Sequence, residues 1–145
     1  MDWKNLKPNH FYKDPVEHIY VQNFFPKDDY EKLYENQGNL KHHAWQDFDA
    51  KYKVGYELFD NLQEVNYHKE VIALWFFKDR NDKSAGTKNI SLSGKEITYT
   101  PNTLLLTTCK DIKFNTPQKR KWINRPVLQL DLPLATFNNI CKGLK

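Results

Sequence analysis

This chain of 145 residues is poor in cysteine, glycine and long apolar runs, and each shortage excludes something. The two cysteines, Cys109 and Cys141, make no Cys-x-x-Cys pair and no His/Cys cluster at zinc spacing, so a structural zinc site of the usual kind is excluded. The expectation is two reduced thiols in a cytoplasmic protein; a disulfide between them is the alternative. No apolar stretch approaches the roughly 20 residues of a membrane span. The opening Met-Asp-Trp-Lys-Asn-Leu-Lys-Pro lacks the apolar centre of a signal peptide. Five glycines form no phosphate-cradling loop, and there is no nucleophile elbow or credible Ser/His/Asp set. Internal repeats, low-complexity segments and linkers are also missing.

What is present is a well-solvated, aromatic-rich chain: 28% charged residues, with nine Phe, eight Tyr and four Trp. Aromatics bury a large area each, so one domain spanning 1–145 has ample core. The net charge of +4 is unevenly distributed. Residues 1–82 hold 11 Lys/Arg against 15 Asp/Glu, whereas residues 83–145 hold 11 against 3. This asymmetry suits an acidic partner or self-association, unless the fold interleaves the two halves.

Residues 1–14 read as an irregular arm. Residues 16–25 have the β-branched and aromatic content of a strand. Pro26 followed by Asp28, Asp29 and Glu31 signals helix entry, where acids favour the helix dipole more often than they catalyse. Tyr30, Leu33, Tyr34 and Gln37 then share a face, and Gly38-Asn39 ends the helix. Further strands are expected over 44–48 and 52–59. Residues 70–77 form an apolar run suited to a central strand buried on both faces. Ser93-Gly94 joins a hairpin of 88–92 and 96–99. Strands over 103–108 and 126–132 follow, and a closing helix occupies 133–145. The expected fold is mainly β with one or two helices: a double-stranded β-helix, or jelly roll, over 15–132 with a helix packed outside.

Four phrases, in this order, carry a family likeness. They are His18-Ile19-Tyr20-Val21-Gln22-Asn23-Phe24-Phe25-Pro26 leading into a helix, and Ile72 to Phe77 followed by Ser84-Ala85-Gly86-Thr87. Then come Ile97-Thr98-Tyr99-Thr100-Pro101-Asn102 before Leu104-Leu105-Leu106, and Arg125 before Val127-Leu128-Gln129-Leu130. The pattern covers 16–37 and about 54–132. It resembles the 2-oxoglutarate/Fe(II)-dependent oxygenases, especially the short prolyl-hydroxylase-like forms of phage and bacteria.

The resemblance implies two His and one carboxylate on Fe(II). The family's His-x-Asp falls on Leu62-Gln63-Glu64, where leucine has no lone pair to give. The distal His would lie between Leu104 and Arg125, yet residues 107–124 hold none; Asp111, Phe114 and Asn115 occupy that region. Arg125 stands where the family binds the distal carboxylate of 2-oxoglutarate, a task suited to a bidentate guanidinium. Its structural alternative is pairing with Asp131, Asp111 or Glu64. A substitute triad of His43, Asp47 and His68 would need three distant side chains to converge.

The resulting expectation is a non-catalytic domain with no catalytic residue, metal or cofactor, whose work is to bind a macromolecular partner. The alternative is a divergent oxygenase using Fe(II) and 2-oxoglutarate. The expected contact surface is Lys110, Lys113, Lys119, Arg120, Lys121 and Trp122. An acidic protein surface or self-association is favoured as partner, and nucleic acid is the other candidate. The resemblance, with a composition rich in Lys, Asn and Tyr, suggests a viral protein of the host cytoplasm or virion.

Overall fold

The computed structural model describes residues 1–60, 62–78, 88–114 and 126–145. Nine strands and three α-helices lie in these segments. The strands are β1 (Phe11–Tyr12), β2 (His18–Gln22), β3 (Tyr56–Phe59), β4 (Ile72–Phe76), β5 (Lys88–Leu92), β6 (Lys95–Tyr99), β7 (Thr103–Thr107), β8 (Ile112–Phe114) and β9 (Val127–Leu130). The helices are α1 (Lys27–Glu35), α2 (His43–Tyr52) and α3 (Leu134–Leu144). None is long and apolar enough to cross a membrane.

Two antiparallel sheets result. The larger runs β1-β2-β7-β4-β9-β3, and the smaller runs β6-β5-β8. Side-chain alternation divides the larger sheet into two faces. Ala73 and Trp75 of β4, Leu104 and Leu106 of β7, and Leu128 and Leu130 of β9 face the helices. There they meet Leu33 of α1, Trp45 and Phe48 of α2, and Phe137 and Cys141 of α3. Ile72, Leu74, Phe76, Leu105 and Val127 face the other way and pack with Ile90, Leu92 and Ile112 of the smaller sheet. The order is therefore helices, large sheet, small sheet. Because β4 is covered on both sides, all five of its residues are buried, as a continuous apolar run requires.

The turn at Ser93-Gly94 has both residues at positive φ, 50° and 83°, which matches the right-handed twist of the β5–β6 hairpin. Asn102 also has φ 66°, a region that asparagine tolerates better than most residues. Its backbone N–H donates to Phe76 O at 2.9 Å and its side-chain Nδ2 to Phe25 O at 2.7 Å. Trp75 Nε1 donates to Asn102 Oδ1 at 2.8 Å. Asn102 thus ties the end of β4 to the corner between β2 and α1.

Several expectations need correction. Three α-helices are present rather than one or two. Residues 44–48, expected as a strand, lie within α2. Ala44, Trp45 and Phe48 are its buried stripe, and the residues form a helix because this spacing continues through Tyr52 toward the core. His42 caps α2 by accepting from Ala44 N–H at 3.1 Å. The first 14 residues are not wholly irregular. Pro8–His10 forms a 3₁₀ turn, and β1 pairs with His18 and Ile19. Residues 112–114, expected as basic loop, form β8. The two unlike-charged halves also interleave. In the larger sheet β7 lies between β2 and β4, and β9 lies between β4 and β3, whereas the smaller sheet comes from the second half alone.

Candidate functional site

At Leu62, where the resemblance puts the first iron ligand, the chain builds core. Leu62 opens a 3₁₀ turn, Leu62–Glu64, that lies beside β8, and it is only 1% exposed. Around it, between the sheets, are Val65, Leu74, Ile90, Leu92, Leu105, Ile112 and Val127, all buried. Glu64 lies on the exposed side of the turn. One buried polar group on this face, Gln129, is engaged. Its Nε2 donates to Asn66 O at 2.9 Å, and its Oε1 accepts from Asn66 N–H at 2.9 Å. This reciprocal pair meets the rule that a buried amide is satisfied by partners of its own chain.

Arg125 lies outside the described residues. Of the carboxylates considered for it, Asp131 forms an ion pair with Lys69, and Asp111 lies 3.8 Å from Lys113 Nζ. His43 and Asp47 both belong to α2, whereas His68 is exposed in the stretch before β4. Among the described residues no group of three His, Cys, Asp or Glu side chains is arranged to hold a metal ion. Asp29 accepts from Lys51 Nζ at 2.7 Å, which joins α1 to α2. Cys109 and Cys141 are separate thiols. Lys110 and Lys113 are exposed on either side of Asp111. Lys119, Arg120, Lys121 and Trp122 lie outside the described residues.

A second locus was not foreseen from the sequence. Beyond β7 the larger sheet continues as β2 and β1, while the smaller sheet stops at β6, its edge. The overhang leaves a groove of about 350 Å³ lined by Tyr12, His18, Tyr20, Gln22, Lys95, Ile97 and neighbours. Tyr20 spans it, its hydroxyl donating to Thr98 O. Gln22 Nε2 donates to the Tyr20 hydroxyl at 3.2 Å. The Tyr12 ring lies nearly parallel to that of His18, with centroids 5.1 Å apart and planes at 12°. His18 itself is 3% exposed. Alternation within 18–22 puts His18, Tyr20 and Gln22 on one face, and that signal was available; their meeting with β6 depends on topology.

Burial lowers the His18 pKa below its ordinary value; the hydrogen bond to Val16 O opposes this and Lys95 reinforces it. The folded state therefore takes up this proton less readily than the unfolded chain. His18 contributes full stability above about pH 6.5 and loses it as the pH falls toward the folded pKa. Besides Lys95, the charged groups lining the groove are Asp14 and Glu96. Burial, followed by Lys7, also lowers the pKa of His10, so the wild type alone cannot isolate His18. His18→Gln should flatten part of the loss in urea midpoint between about pH 7.5 and about pH 5.5. An acid slope unchanged by the substitution would contradict this assignment.

In comparisons with known proteins, the chain matches no family model, no curated protein and no solved structure.

Proposed function

We propose that this is a non-catalytic domain with the architecture of a double-stranded β-helix, and that it binds a macromolecular partner through its surface. Strand order supports the architecture. After β3 the chain passes the Leu62–Glu64 turn beside β8, returns to the large sheet as β4, and forms β5 and β6 in the small one. It then returns as β7, crosses as β8 and ends in the large sheet as β9. Such alternation between two facing sheets is how a jelly roll winds. The observation that carries the functional reading is Leu62, 1% exposed within an aliphatic interior where the resembling oxygenases would place their first ligand. A divergent oxygenase with Fe(II) and 2-oxoglutarate bound through displaced ligands is the alternative.

The partner surface we favour is the basic segment from Lys110 to Arg125. Its six cations, Lys110, Lys113, Lys119, Arg120, Lys121 and Arg125, are opposed only by Asp111, and Trp122 stands among them. Packing does not demand this density, which carries self-repulsion at low salt. An aromatic beside Arg and Lys is the composition of a contact hot spot. An acidic protein surface, including that of a second copy, is the partner proposed first, and nucleic acid second. A place in the host cytoplasm or a virion is proposed from the family resemblance and composition.

The test is Lys119→Glu with Arg120→Glu, Lys121→Glu and Trp122→Ala. This variant should stay folded and monodisperse while losing the partner recovered with wild type from the native host. Partner recovery unchanged across a salt series would refute the assignment of this surface.

A further inference from the structure

We propose that the groove between β2 and the β6 edge is a binding site for a nucleotide-type ligand, a flat heterocycle bearing an amine donor and a phosphate. The inference goes beyond partner binding and does not depend on the basic segment. The groove's volume, about 350 Å³, lies within the usual range for small-molecule sites.

Hydrogen-bonding capacity selects the ligand. His18 Nδ1 lies 2.8 Å from Val16 O. A carbonyl oxygen only accepts, so Nδ1 carries the proton, and the neutral ring presents Nε2 as an acceptor. Among the described residues nothing donates to Nε2, although the residue is 97% buried, at 3% exposure, and lines the groove. Burial, reinforced by Lys95 and opposed by the Val16 hydrogen bond, disfavours protonation of the ring. Gln22 gives one of its two amide N–H bonds to the Tyr20 hydroxyl, and its exposed Oε1 offers a second acceptor. Two acceptors call for a group with two N–H bonds, such as an exocyclic amine.

Two tyrosine rings give the groove flat walls. Tyr12, 44% exposed, lies over His18, and Tyr20 stands edge-on to it at 80° with centroids 6.3 Å apart. Such rings stack with heterocycles of any sequence. Lys95, exposed on β6, supplies the cation for a phosphate. Asp14 and Glu96 also line the groove. They disfavour a diacid and suit a ligand with one anionic group and several donors, such as ribose hydroxyls. A free mononucleotide and the phosphorylated end of a single strand share this chemistry.

Calorimetric titration of the full chain with AMP, CMP, UMP, adenosine, inorganic phosphate and a short 5′-phosphorylated deoxyadenosine oligonucleotide tests the site. AMP and CMP should bind one per chain. UMP, whose single N–H is flanked by carbonyl oxygens, should bind about tenfold more weakly or worse, because the buried His18 acceptor is then left unmatched. Lys95→Ala should weaken AMP by about tenfold and leave adenosine unchanged, whereas Tyr12→Ala should weaken both. Both side chains are exposed, so circular dichroism should show the wild-type fold. Binding of the oligonucleotide without AMP would identify a strand end as the source, provided Lys95→Ala and Tyr12→Ala abolish it and the charge-swapped basic segment does not. Equal binding of AMP and UMP, phosphate binding as tightly as AMP, indifference to Lys95→Ala, or no saturable binding of any probe would overturn the proposal.

Discussion

Trp75→Ala should cost about 3–5 kcal/mol and lower the thermal midpoint by roughly 10 °C or more. Trp75 is fully buried on the helix-facing side of β4. Its ring centroid lies 3.9 Å from that of Phe25, 4.8 Å from Phe77 and 5.8 Å from Phe48. Its removal leaves a large cavity among side chains from β4, α2 and the corner before α1, which cannot all collapse inward. It also leaves Asn102 Oδ1 without the indole N–H it accepts at 2.8 Å. Trp75→Phe separates the two effects. It keeps an aromatic filler but orphans Oδ1, at about 1–3 kcal/mol. Equilibrium urea unfolding of both variants measures the difference. If both are as stable as wild type, the helix-facing cluster is not the principal core.

Leu62→Ala should cost about 2–5 kcal/mol and leave a soluble but clearly destabilised protein. The expectation follows from its 1% exposure against Val65, Ile72, Leu74 and the inward side chains of the smaller sheet. The substitution distinguishes two uses of one position. A residue lining a ligand-filled pocket loses little stability on truncation, because solvent fills the space. A residue in a dry aliphatic layer loses its transfer free energy and leaves a cavity as well. A Leu62→Ala protein with an unchanged urea midpoint would mean that the space between the sheets is not packed as core.

Much of the β framework was legible because it follows from local chemistry. Ile72 to Phe76, in an apolar run bounded by polar residues, suited a strand covered on both faces, and Ser93-Gly94 suited a hairpin turn. The helix after Pro26 carried its start signals in Asp28 and Asp29, but it ends at Glu35 with Asn36 as its cap rather than at Gly38. Misreading arose where the local signal was short. Ala44 to Phe48 looks like a strand because five residues with two bulky aromatics satisfy either period. Only the continuation to Tyr52, with a cap from His42, decides for helix. Residues 112–114 pair with β5 through Ile112↔Leu92 and Phe114↔Ile90, a register that no local pattern could announce amid surrounding charges. The enclosure of Leu62 by Ile90, Leu92 and Ile112 was not legible. The groove at the seam was hidden for a topological reason. Lys95 is far from Tyr12 and His18 in the chain, and it meets them because the larger sheet extends past the edge of the smaller one.

The most direct test of a core-filled interior is anaerobic titration of the purified wild type with Fe(II) in the presence of 2-oxoglutarate, followed by visible absorption. Leu62 in the first ligand position and the lack of histidine after His68 predict no weak charge-transfer band at any iron ratio. A band that saturates at one iron per chain would contradict that reading and establish the divergent oxygenase in its place.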